Sequence, residues 1–315
     1  MKKSKSNVIT YLINFNILTT AVFFFSLLTP LNCLAQHLTI ASWNIAWLGS
    51  HKYNQRSTTD YQSLAVYAKL LNADIIALQE VEDAYWAKKV FGEHYDYYFS
   101  SRESTQRVGV AIKKSAQLTV LIDEYKALDV NDVRYGLTVN LTRNGKQLTL
   151  LALHLKSGCF EYSLAKFSID TMPSSNSKAE KKKLACTLLA SQKKVLEKWQ
   201  QQHQQSNKNA AYIMLGDFNR RFAKEISLAK TPQQGLWQGL NANSAEALWA
   251  PTTSLNSQCW GGYFKDYIDH IVFNAAAKKF YRDGSFKQWL YQEKYSRKRT
   301  RLLSDHCPIS VTLNF

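Results

Sequence analysis

The chain has 315 residues, of which 45% are hydrophobic and 20% are charged, and its formal net charge is +16 at pH 7. This apolar content supports a substantial core and excludes a chain too polar to fold. A positive charge of this size favours an anionic partner, and we place nucleic acid ahead of an anionic membrane or another acidic polymer. The alternative is that the charge serves solubility alone.

The first 36 residues have the pattern of a secretory signal peptide. Three lysines among the first five residues precede an apolar run over 17–28, and Cys33-Leu34-Ala35 supplies small residues at a cleavage site. The apolar run is short for a membrane span, so we expect a mature chain that begins near Gln36 or His37 and carries no membrane anchor. Processing as a lipoprotein at Cys33 is the weaker alternative. The predicted location is secreted or periplasmic.

Apolar periodicity predicts a strand-rich mature chain with interspersed helices. The predicted strands, in chain order, are Leu38–Asn44, Asp74–Glu80, Tyr95–Ser100, Val108–Lys113, Leu118–Tyr125, Tyr135–Thr142, Gln147–His154, Ala211–Leu215, Tyr267–Phe273 and Ile309–Phe315. The predicted helices are Thr58–Leu71, with Thr58 or Thr59 as N-cap, a short one over Asp83–Phe91, and Lys178–Gln202. Asn144-Gly145 between two alternating runs predicts a hairpin, because both turn residues adopt positive φ.

The mature chain contains no internal repeat, no linker rich in proline, glycine or serine, and no low-complexity tract. Residues 37–315 are therefore predicted to form one domain. Its class is α/β, with mixed sheets flanked by helices.

Polar side chains suited to metal binding or acid–base chemistry recur at the ends of these apolar strands. They are Asn44, Glu80, His154, Asp217 with Asn219, Asp269, and Asp305 with His306. Strand ends are places where a rigid scaffold presents reactive groups. Each residue has an ordinary structural explanation, such as Glu80 capping the next helix, but six coincidences are less economical than one shared site.

The order of these motifs resembles the endonuclease/exonuclease/phosphatase superfamily, which includes pancreatic-type deoxyribonucleases, abasic-site endonucleases, neutral sphingomyelinases and inositol polyphosphate phosphatases. The matching segments are Ser42-Trp43-Asn44-Ile45, Leu78-Gln79-Glu80-Val81, Leu153-His154, Gly216-Asp217-Phe218-Asn219, Ile268-Asp269-His270 and Ser304-Asp305-His306-Cys307-Pro308. The resemblance implies a four-layer α/β/β/α sandwich of two packed mixed sheets flanked by helices. The site is expected at one edge of the packed sheets.

The resemblance also implies a metal site. Glu80 matches the principal metal-binding carboxylate, Asn44 lies close to it, and Asp305 matches a further ligand. Oxygen ligands of this kind suit a hard divalent cation, and we expect Mg²⁺ first, with Mn²⁺ or Ca²⁺ as alternatives.

The remaining motif residues receive catalytic roles from the same resemblance. His154 and His306 match the two histidines that contact phosphate oxygens or move protons, and Asp269 matches the carboxylate that orients His306. Asp217 and Asn219 match the pair that positions the attacking water and holds the phosphate. Whether Asp217 or a histidine removes the proton from water stays open.

Two cationic segments favour nucleic acid among the substrates of this family. Lys294–Arg301 leads directly into Asp305-His306, and the long segment that begins at Lys156 follows His154. The predicted phosphate contacts are Arg107, Lys156, Arg297, Arg299 and Arg301, and Tyr295 and Phe160 are candidates for stacking on bases. A solvated surface is the ordinary alternative for each cationic run.

Four cysteines follow the signal peptide: Cys159, Cys186, Cys259 and Cys307. An exported chain permits disulfides, and four cysteines allow three pairings. We favour Cys159–Cys186, which leaves Cys259–Cys307 to brace the bend at His306. Zinc binding is disfavoured because no two cysteines have the C-x₂-C spacing.

These features together predict an exported, metal-dependent phosphodiesterase that acts as a monomer. The leading prediction is a largely non-specific nuclease that hydrolyses phosphodiesters by in-line attack of water, with DNA favoured over RNA. The alternatives are a secreted sphingomyelinase-like lipid phosphodiesterase and a non-catalytic binding or toxin subunit. Against the lipid enzyme, Leu236-Trp237, Leu248-Trp249 and Trp260 are the nearest candidates for an exposed apolar hairpin, and core packing is expected for them.

Overall fold

The computed structural model describes residues 37–167, 177–207, 209–244 and 246–315. The predicted signal peptide lies outside these residues, as does part of the segment between His154 and Lys178. None of the helices in the described ranges is long and apolar enough to cross a membrane.

Strands make up most of the regular structure in the described ranges. They are β1 (His37–Leu48), β2 (Ile75–Val81), β3 (Tyr95–Phe99), β4 (Arg107–Lys113), β5 (Thr119–Tyr125), β6 (Gly136–Arg143), β7 (Lys146–His154), β8 (Tyr212–Asp217), β9 (Asp269–Phe273), β10 (Lys287–Gln288) and β11 (Ile309–Asn314). The helices are α1 (Thr58–Leu71), α2 (Ala84–Phe91), α3 (Lys178–Ser206), α4 (Phe222–Leu228), α5 (Leu236–Ala242), α6 (Cys259–Gly262), α7 (Ala275–Lys278) and α8 (Arg297–Leu302).

The strands form two mixed sheets that pack face to face. The six-stranded sheet has the order β10-β11-β1-β2-β4-β3, and the five-stranded sheet has the order β5-β6-β7-β8-β9. The β1–β2 and β7–β8 pairs are parallel, and the remaining neighbours are antiparallel. This pairing brings the carboxyl ends of β1 and β2 in one sheet, and of β7 and β8 in the other, to the same edge of their sheets.

The core follows from the alternation of side chains along each strand. Ile40 of β1 and Leu150 of β7 belong to one buried cluster between the sheets. Their neighbours Ala41 and Leu151 face outward, into separate clusters that include residues of α1 and α2 on one side and of α3 on the other. The two sheets with helices on both outer faces confirm the predicted α/β/β/α sandwich.

Local predictions agree with the structure at most elements. Helix α1 has the predicted bounds, and Asn144 and Gly145 have φ of 52° and 76° in the β6–β7 hairpin. The predicted N-cap was wrong, because Ser57 caps α1 through a reciprocal capping box with Asp60. Most of the cationic segment Lys294–Arg301 is helical, because it belongs to α8, which Ser296 caps at its N-terminus.

The aromatic pairs considered as a membrane-inserting surface lie mainly in the core. Leu236 is fully buried, Trp260 is 4% exposed and Leu248 is 5% exposed. Trp237 packs against the cluster beneath α3. Core packing is therefore their role, as the sequence predicted.

His270 is a buried histidine whose neutral form is fixed by its neighbours. Its Nε2 donates to the carbonyl of Arg220 at 2.8 Å, its Nδ1 accepts from the hydroxyl of Thr252 at 2.6 Å, and its ring stacks on Phe222. Burial lowers the pKa of His270 from 6.5 to about 3. Because the folded-state pKa is depressed, its stabilisation is complete above the unfolded-state value and is lost as the pH falls toward 3.

We therefore expect the free energy of unfolding to fall as the pH drops from about 6.5 toward 3, with up to about 5 kcal/mol of that loss due to His270. Urea unfolding of the wild type and of His270→Asn, followed across this pH range, measures the contribution. The pH dependence should be shallower in the variant. Equal slopes for the two proteins would contradict this assignment.

Candidate active site

Both sheets contribute side chains to one cluster at the edge where β1, β2, β7 and β8 end. In the five-stranded sheet, Asp217 pairs in register with His154 of β7 on one side and with Asp269 of β9 on the other. In the six-stranded sheet, Asn44 and Glu80 lie where the register between the parallel strands β1 and β2 shifts, close to the end of each strand. The packing of the two sheets thus brings together residues that are far apart in the sequence.

Asp217 lies at the centre of this cluster. Its Oδ2 accepts a hydrogen bond from Asn44 Nδ2 at 3.1 Å, and lies 3.4 Å from His154 Nε2 and 3.8 Å from His306 Nε2. Its Oδ1 accepts from the backbone N–H of Asn219 at 2.8 Å. The predicted catalytic residues therefore surround one buried carboxylate.

Asp269 is the hydrogen-bond partner of His306. His306 Nδ1 donates to Asp269 Oδ2 at 2.7 Å, which leaves Nε2 on the side of Asp217. The bend that carries His306 is fixed by Ser304, whose hydroxyl accepts from the N–H of His306 at 3.0 Å and donates to the carbonyl of Asn44 at 2.7 Å. Asp305, on the same bend, has a half-exposed side chain whose Oδ1 lies 4.0 Å from His306 Nε2.

The two histidines of the cluster have opposite protonation preferences. Burial alone would lower the pKa of His306, but the neighbouring carboxylates of Asp269 and Asp217 raise it well above 6.5. Burial, together with the positive charges of Arg134 and His306, holds the pKa of His154 well below 6.5. His306 is therefore a protonated donor, whereas His154 is a neutral imidazole.

Crowding of carboxylates affects Asp217 as well. Burial, with a further contribution from the negative charges of Asp269 and Glu80, raises the pKa of Asp217 to about 7, although His306 opposes the shift. A group with a pKa near neutrality is suited to exchanging a proton during catalysis.

Glu80 has the features expected of a cation ligand. It has a φ of 58°, at the point where the register between β2 and β4 shifts. Left-handed backbone in a non-glycine residue is uncommon and clusters at functional sites. The Glu80 carboxylate lies 3.8 Å from His154 Nε2, and it accepts no hydrogen bond from any residue in the described ranges.

The available oxygens fit a hard cation better than a soft one. Asp269 Oδ1 is buried and has no hydrogen-bond partner within the described part of the chain. Asp217, Asp269 and His306 offer ligand atoms that lie within 4.8 Å of one another, and none of the three is among the predicted ligands Asn44, Glu80 and Asp305. Both oxygens of Asp217 accept hydrogen bonds, whereas the Glu80 carboxylate accepts none in the described ranges. Carboxylate oxygens are typical ligands of Mg²⁺.

The structure places Asn44 differently from a simple oxygen ligand. Its Nδ2 donates to Asp217, and its Oδ1 accepts from the N–H of Ala46 at 3.0 Å. Asn44 therefore orients Asp217, and direct ligation of a metal by Asn44 stays a prediction.

The predicted phosphate contacts occupy different environments. Lys156 directly follows β7 and helps to lower the pKa of His154, and burial and Arg134 in turn lower the pKa of Lys156. Arg107 opens β4 and donates from Nε to the carbonyl of Ser104 at 3.2 Å. Of these two, Lys156 acts electrostatically on the cluster.

The arginines of α8 divide into two kinds. Arg297 and Arg301 are exposed. Arg299 instead pairs with Asp60 at 3.2 Å and with Glu293 at 3.4 Å. Because both partners are carboxylates of this chain, Arg299 links α8 to α1 in addition to any contact with substrate.

Arg134 is a site residue that the sequence analysis missed. Its Nε and Nη2 donate to the carbonyls of His154 and Leu155, at 3.2 and 2.7 Å, and thereby fix the end of β7. Its positive charge also acts on Glu80, Asp217 and His154. No spacing in the sequence distinguishes it from any other cation at the start of a strand.

Arg56 is a second residue without a sequence signal. Its guanidinium donates to the carbonyls of Ile45, Ala46 and Trp47, and Nε also donates to the carbonyl of Leu302 at 2.5 Å. These bonds tie the irregular end of β1 to the end of α8. Both segments lead into residues of the cluster.

Both disulfides have the predicted pairing. Cys159–Cys186 joins the segment after β7 to α3, and Cys259–Cys307 joins α6 to the residue that follows His306. Trp260 reinforces the second connection, because its Nε1 donates to the carbonyl of Ser304 at 2.8 Å.

Replacing Cys259 and Cys307 by serine is expected to lower the free energy of unfolding by about 4 kcal/mol, because a link between residues 48 apart restricts the unfolded chain. It should also lower activity in the folded protein, since the bend at His306 loses its brace. Chemical denaturation and steady-state rates measure the two effects.

The matched control is the replacement of Cys159 and Cys186 by serine. This pair is 27 residues apart and should cost about 3.5 kcal/mol while leaving the bend intact. Equal losses of activity in the two folded variants would contradict a specific bracing role for Cys259–Cys307.

Comparison with known families agrees with the geometry. A family model described as the Endonuclease/Exonuclease/phosphatase family matches residues 41–306. The chain belongs to this family. Its members are generally phosphodiesterases, nucleases or phosphatases, and they typically use divalent cations. A comparison with curated proteins gave no match.

Solved structures show the same fold. A humanized TDP2 from D. rerio is 19% identical, with 89% of this chain and 100% of that chain covered and a TM-score of 0.57. D. rerio TDP2 complexed with a single-strand DNA product is 20% identical, with 89% and 99% covered and a TM-score of 0.51. The catalytic domain of human Nocturnin with bound sulfate is 14% identical, with 88% and 94% covered and a TM-score of 0.50. At such low sequence identities, the structural similarity establishes the fold alone.

Proposed function

We propose that this member of the Endonuclease/Exonuclease/phosphatase family is an exported, metal-dependent nuclease with little sequence preference that acts as a monomer and favours DNA over RNA. The observation that carries the proposal is the convergence of Asn44, His154 and His306 on the buried carboxylate of Asp217. The net charge of +16 supports an anionic polymer as substrate. The DNA product bound to D. rerio TDP2 is a further reason to place DNA first.

Glu80 would hold the divalent cation, with Asp305 as an additional ligand and Mg²⁺ as the expected ion. When bound, this cation neutralises charge that develops on the phosphate. The unpaired oxygens of Glu80 and Asp269 support a cation at this position.

The protein residues supply positioning and proton transfer. His306 donates from Nε2 to a phosphate oxygen, and Asp269 keeps the imidazole protonated and correctly oriented. Asp217, with a pKa of about 7, receives the proton of the attacking water. Asn219, whose Nδ2 donates to the carbonyl of Leu155 at 3.1 Å, presents its amide oxygen to the water or phosphate.

The attacking water and the leaving oxygen lie on opposite sides of the phosphorus in an in-line displacement. Asp217 and Asn219 position the water on one side. His154, a neutral imidazole beside Glu80, contacts a phosphate oxygen. Lys156 and the exposed arginines of α8 hold neighbouring phosphates by charge, and Arg107 is a further contact.

Export is part of the proposal, because the predicted signal peptide and the two disulfides agree with an oxidising compartment. Expression of the full chain in a bacterial host should yield a processed protein outside the cytoplasm that begins at Gln36 or His37. N-terminal sequencing and intact mass spectrometry check this expectation. A protein that retains Met1 in the cytoplasm would contradict export.

The decisive experiment incubates the mature chain with plasmid DNA, RNA or sphingomyelin vesicles, in Mg²⁺ or in EDTA. We expect cleavage of DNA in Mg²⁺, no cleavage in EDTA, and strong inhibition by salt, because phosphate contacts release counterions. Asp217→Asn controls for contaminating nucleases. Absence of EDTA-sensitive cleavage of nucleic acid would overturn the proposal, and hydrolysis of sphingomyelin would favour the lipid phosphodiesterase. No turnover of any substrate would favour a binding subunit.

A further inference from the structure

A cavity of about 430 Å³ opens directly beside the His306 bend. Asp269, Asp305 and His306 line one part of it, and most of the remaining lining comes from the segment 257–268. Pockets that take small organic molecules have volumes of roughly 300–1,000 Å³. The cavity therefore has room for one nucleotide unit next to the phosphate that the cluster would hold.

An aromatic surface forms part of the lining. Tyr263 and Phe264 line the cavity, and Tyr263 is 59% exposed. Tyr295 is not a lining residue, but it supports the Tyr263 ring by stacking on it at 3.8 Å between centroids, with 20° between the planes. An exposed aromatic ring held by a second ring is a platform on which a flat group can stack.

The segment that carries Tyr263 is fixed relative to His306 before any ligand binds. The Cys259–Cys307 disulfide and the bond from Trp260 Nε1 to the carbonyl of Ser304 attach it to the His306 bend. Ser257 N–H donates to the carbonyl of Lys265 at 2.9 Å and closes the segment on itself. Such pre-organisation lowers the entropic cost of ligand binding.

Two of the three basic residues that line the cavity are paired with carboxylates, and the third is not. Arg221 pairs with Glu161 at 2.5 Å and with Asp266 at 3.4 Å, and Lys224 pairs with Asp266 at 2.8 Å. Lys265 also lines the cavity, and it forms no ion pair with a residue in the described ranges. The lining thus contains the aromatic ring of Tyr263, two cations that are paired with carboxylates, and the unpaired cation of Lys265.

We propose that this cavity is a subsite for one unstacked base beside the scissile phosphate, with Tyr263 as the stacking platform and Lys265 as a contact to an adjacent phosphate. The combination of a flat uncharged group and a neighbouring anion is the chemistry of a nucleotide. A choline headgroup instead carries a positive charge at the end remote from its phosphate. In this cavity that charge would lie close to the positive charge of Lys265 and be repelled by it.

This subsite rests on the proposed nuclease function and deepens it, because it makes single-stranded nucleic acid the preferred substrate. A base within a duplex is stacked on both faces and paired at its edge, so it must be extruded before it can enter a side cavity. A base in a single strand enters without that cost.

The test compares four substrates with Mg²⁺ present: a single strand, its duplex, the same single strand with abasic residues around the cleavage position, and sphingomyelin vesicles. The wild type should cleave the single strand with a kcat/KM about tenfold or more above that of the duplex. Tyr263→Ala should lower kcat/KM on the single strand about tenfold, and Tyr263→Phe should retain it. On the abasic strand, the wild type and Tyr263→Ala should be nearly equal.

The control is Tyr98→Ala, which removes a 41% exposed tyrosine from β3 and should leave all rates unchanged. Lys265→Gln should weaken cleavage of every nucleic acid and reduce its salt dependence.

Equal cleavage of single strand and duplex, or an equal effect of Tyr263→Ala on abasic and intact strands, would overturn the subsite while leaving the nuclease function in place. Absence of cleavage of all nucleic acids by the wild type would overturn both, and sphingomyelin hydrolysis sensitive to Tyr263→Ala would assign the cavity to a lipid headgroup.

Discussion

His306→Ala is expected to lower kcat on DNA by about a thousandfold, within the range of effects known for general acid–base residues. The reason is that His306 is the imidazole of the cluster that the carboxylates of Asp269 and Asp217 keep protonated, so its loss removes a charged donor to the phosphate. His154 does not replace it, because burial and Arg134 keep His154 neutral. Steady-state cleavage of a fluorescently labelled strand measures the loss.

Asp269→Asn provides the matched comparison for this prediction. It keeps the imidazole but weakens the orienting bond to Nδ1, so activity should fall by less than in His306→Ala. Circular dichroism and thermal unfolding should show that both variants are folded. Activity of His306→Ala within tenfold of the wild type would mean that the histidine assigned to the phosphate is the wrong one.

Glu80→Gln is expected to abolish the stabilisation of the folded protein by divalent cations. The substitution keeps the shape of the side chain but removes the negative charge of a carboxylate that has no hydrogen-bond partner among the described residues. In the wild type, Mg²⁺ at about one hundred times its dissociation constant should stabilise the fold by about 2.7 kcal/mol. Thermal unfolding at increasing Mg²⁺ should therefore show a rising midpoint in the wild type and a constant one in the variant.

Glu82→Gln is the control, since Glu82 lies two residues further along the chain and its carboxylate accepts bonds from the N–H and the hydroxyl of Ser50. It should retain the stabilisation by Mg²⁺. If Glu80→Gln responded to Mg²⁺ like the wild type, Glu80 would not be a metal ligand.

The parts of this molecule that could be predicted are those encoded locally. Strand periodicity and the polar residues at strand termini singled out Asp217 at the end of β8, Asp269 at the start of β9 and His306 just before β11. The termini of a strand lie at a sheet edge whatever its neighbours are. The Asn144-Gly145 hairpin was predictable for the same reason, since its backbone conformation depends on two adjacent residues.

The parts that could not be predicted depend on partners distant in the sequence. Arg56 binds a carbonyl 246 residues away, and Arg134 binds the end of a strand that lies in register with β8 only after the sheet has formed. Arg299 is predicted as a phosphate contact because it is cationic and near His306, and its pairing with Asp60 of α1 has no signal in the sequence. The cavity beside His306 forms because the Cys259–Cys307 disulfide holds the segment that carries Tyr263 next to the His306 bend.

The most direct test of the central claim is single-turnover cleavage of a short labelled DNA strand by the mature wild type and by Asp217→Asn, in Mg²⁺ and in EDTA. Because Asp217 is the group on which both sheets converge, the substitution should slow cleavage by about a thousandfold without unfolding the protein. The wild type should cleave in Mg²⁺ and be inactive in EDTA. Cleavage by a folded Asp217→Asn at a rate close to that of the wild type would contradict the assignment of this cluster as the nuclease centre.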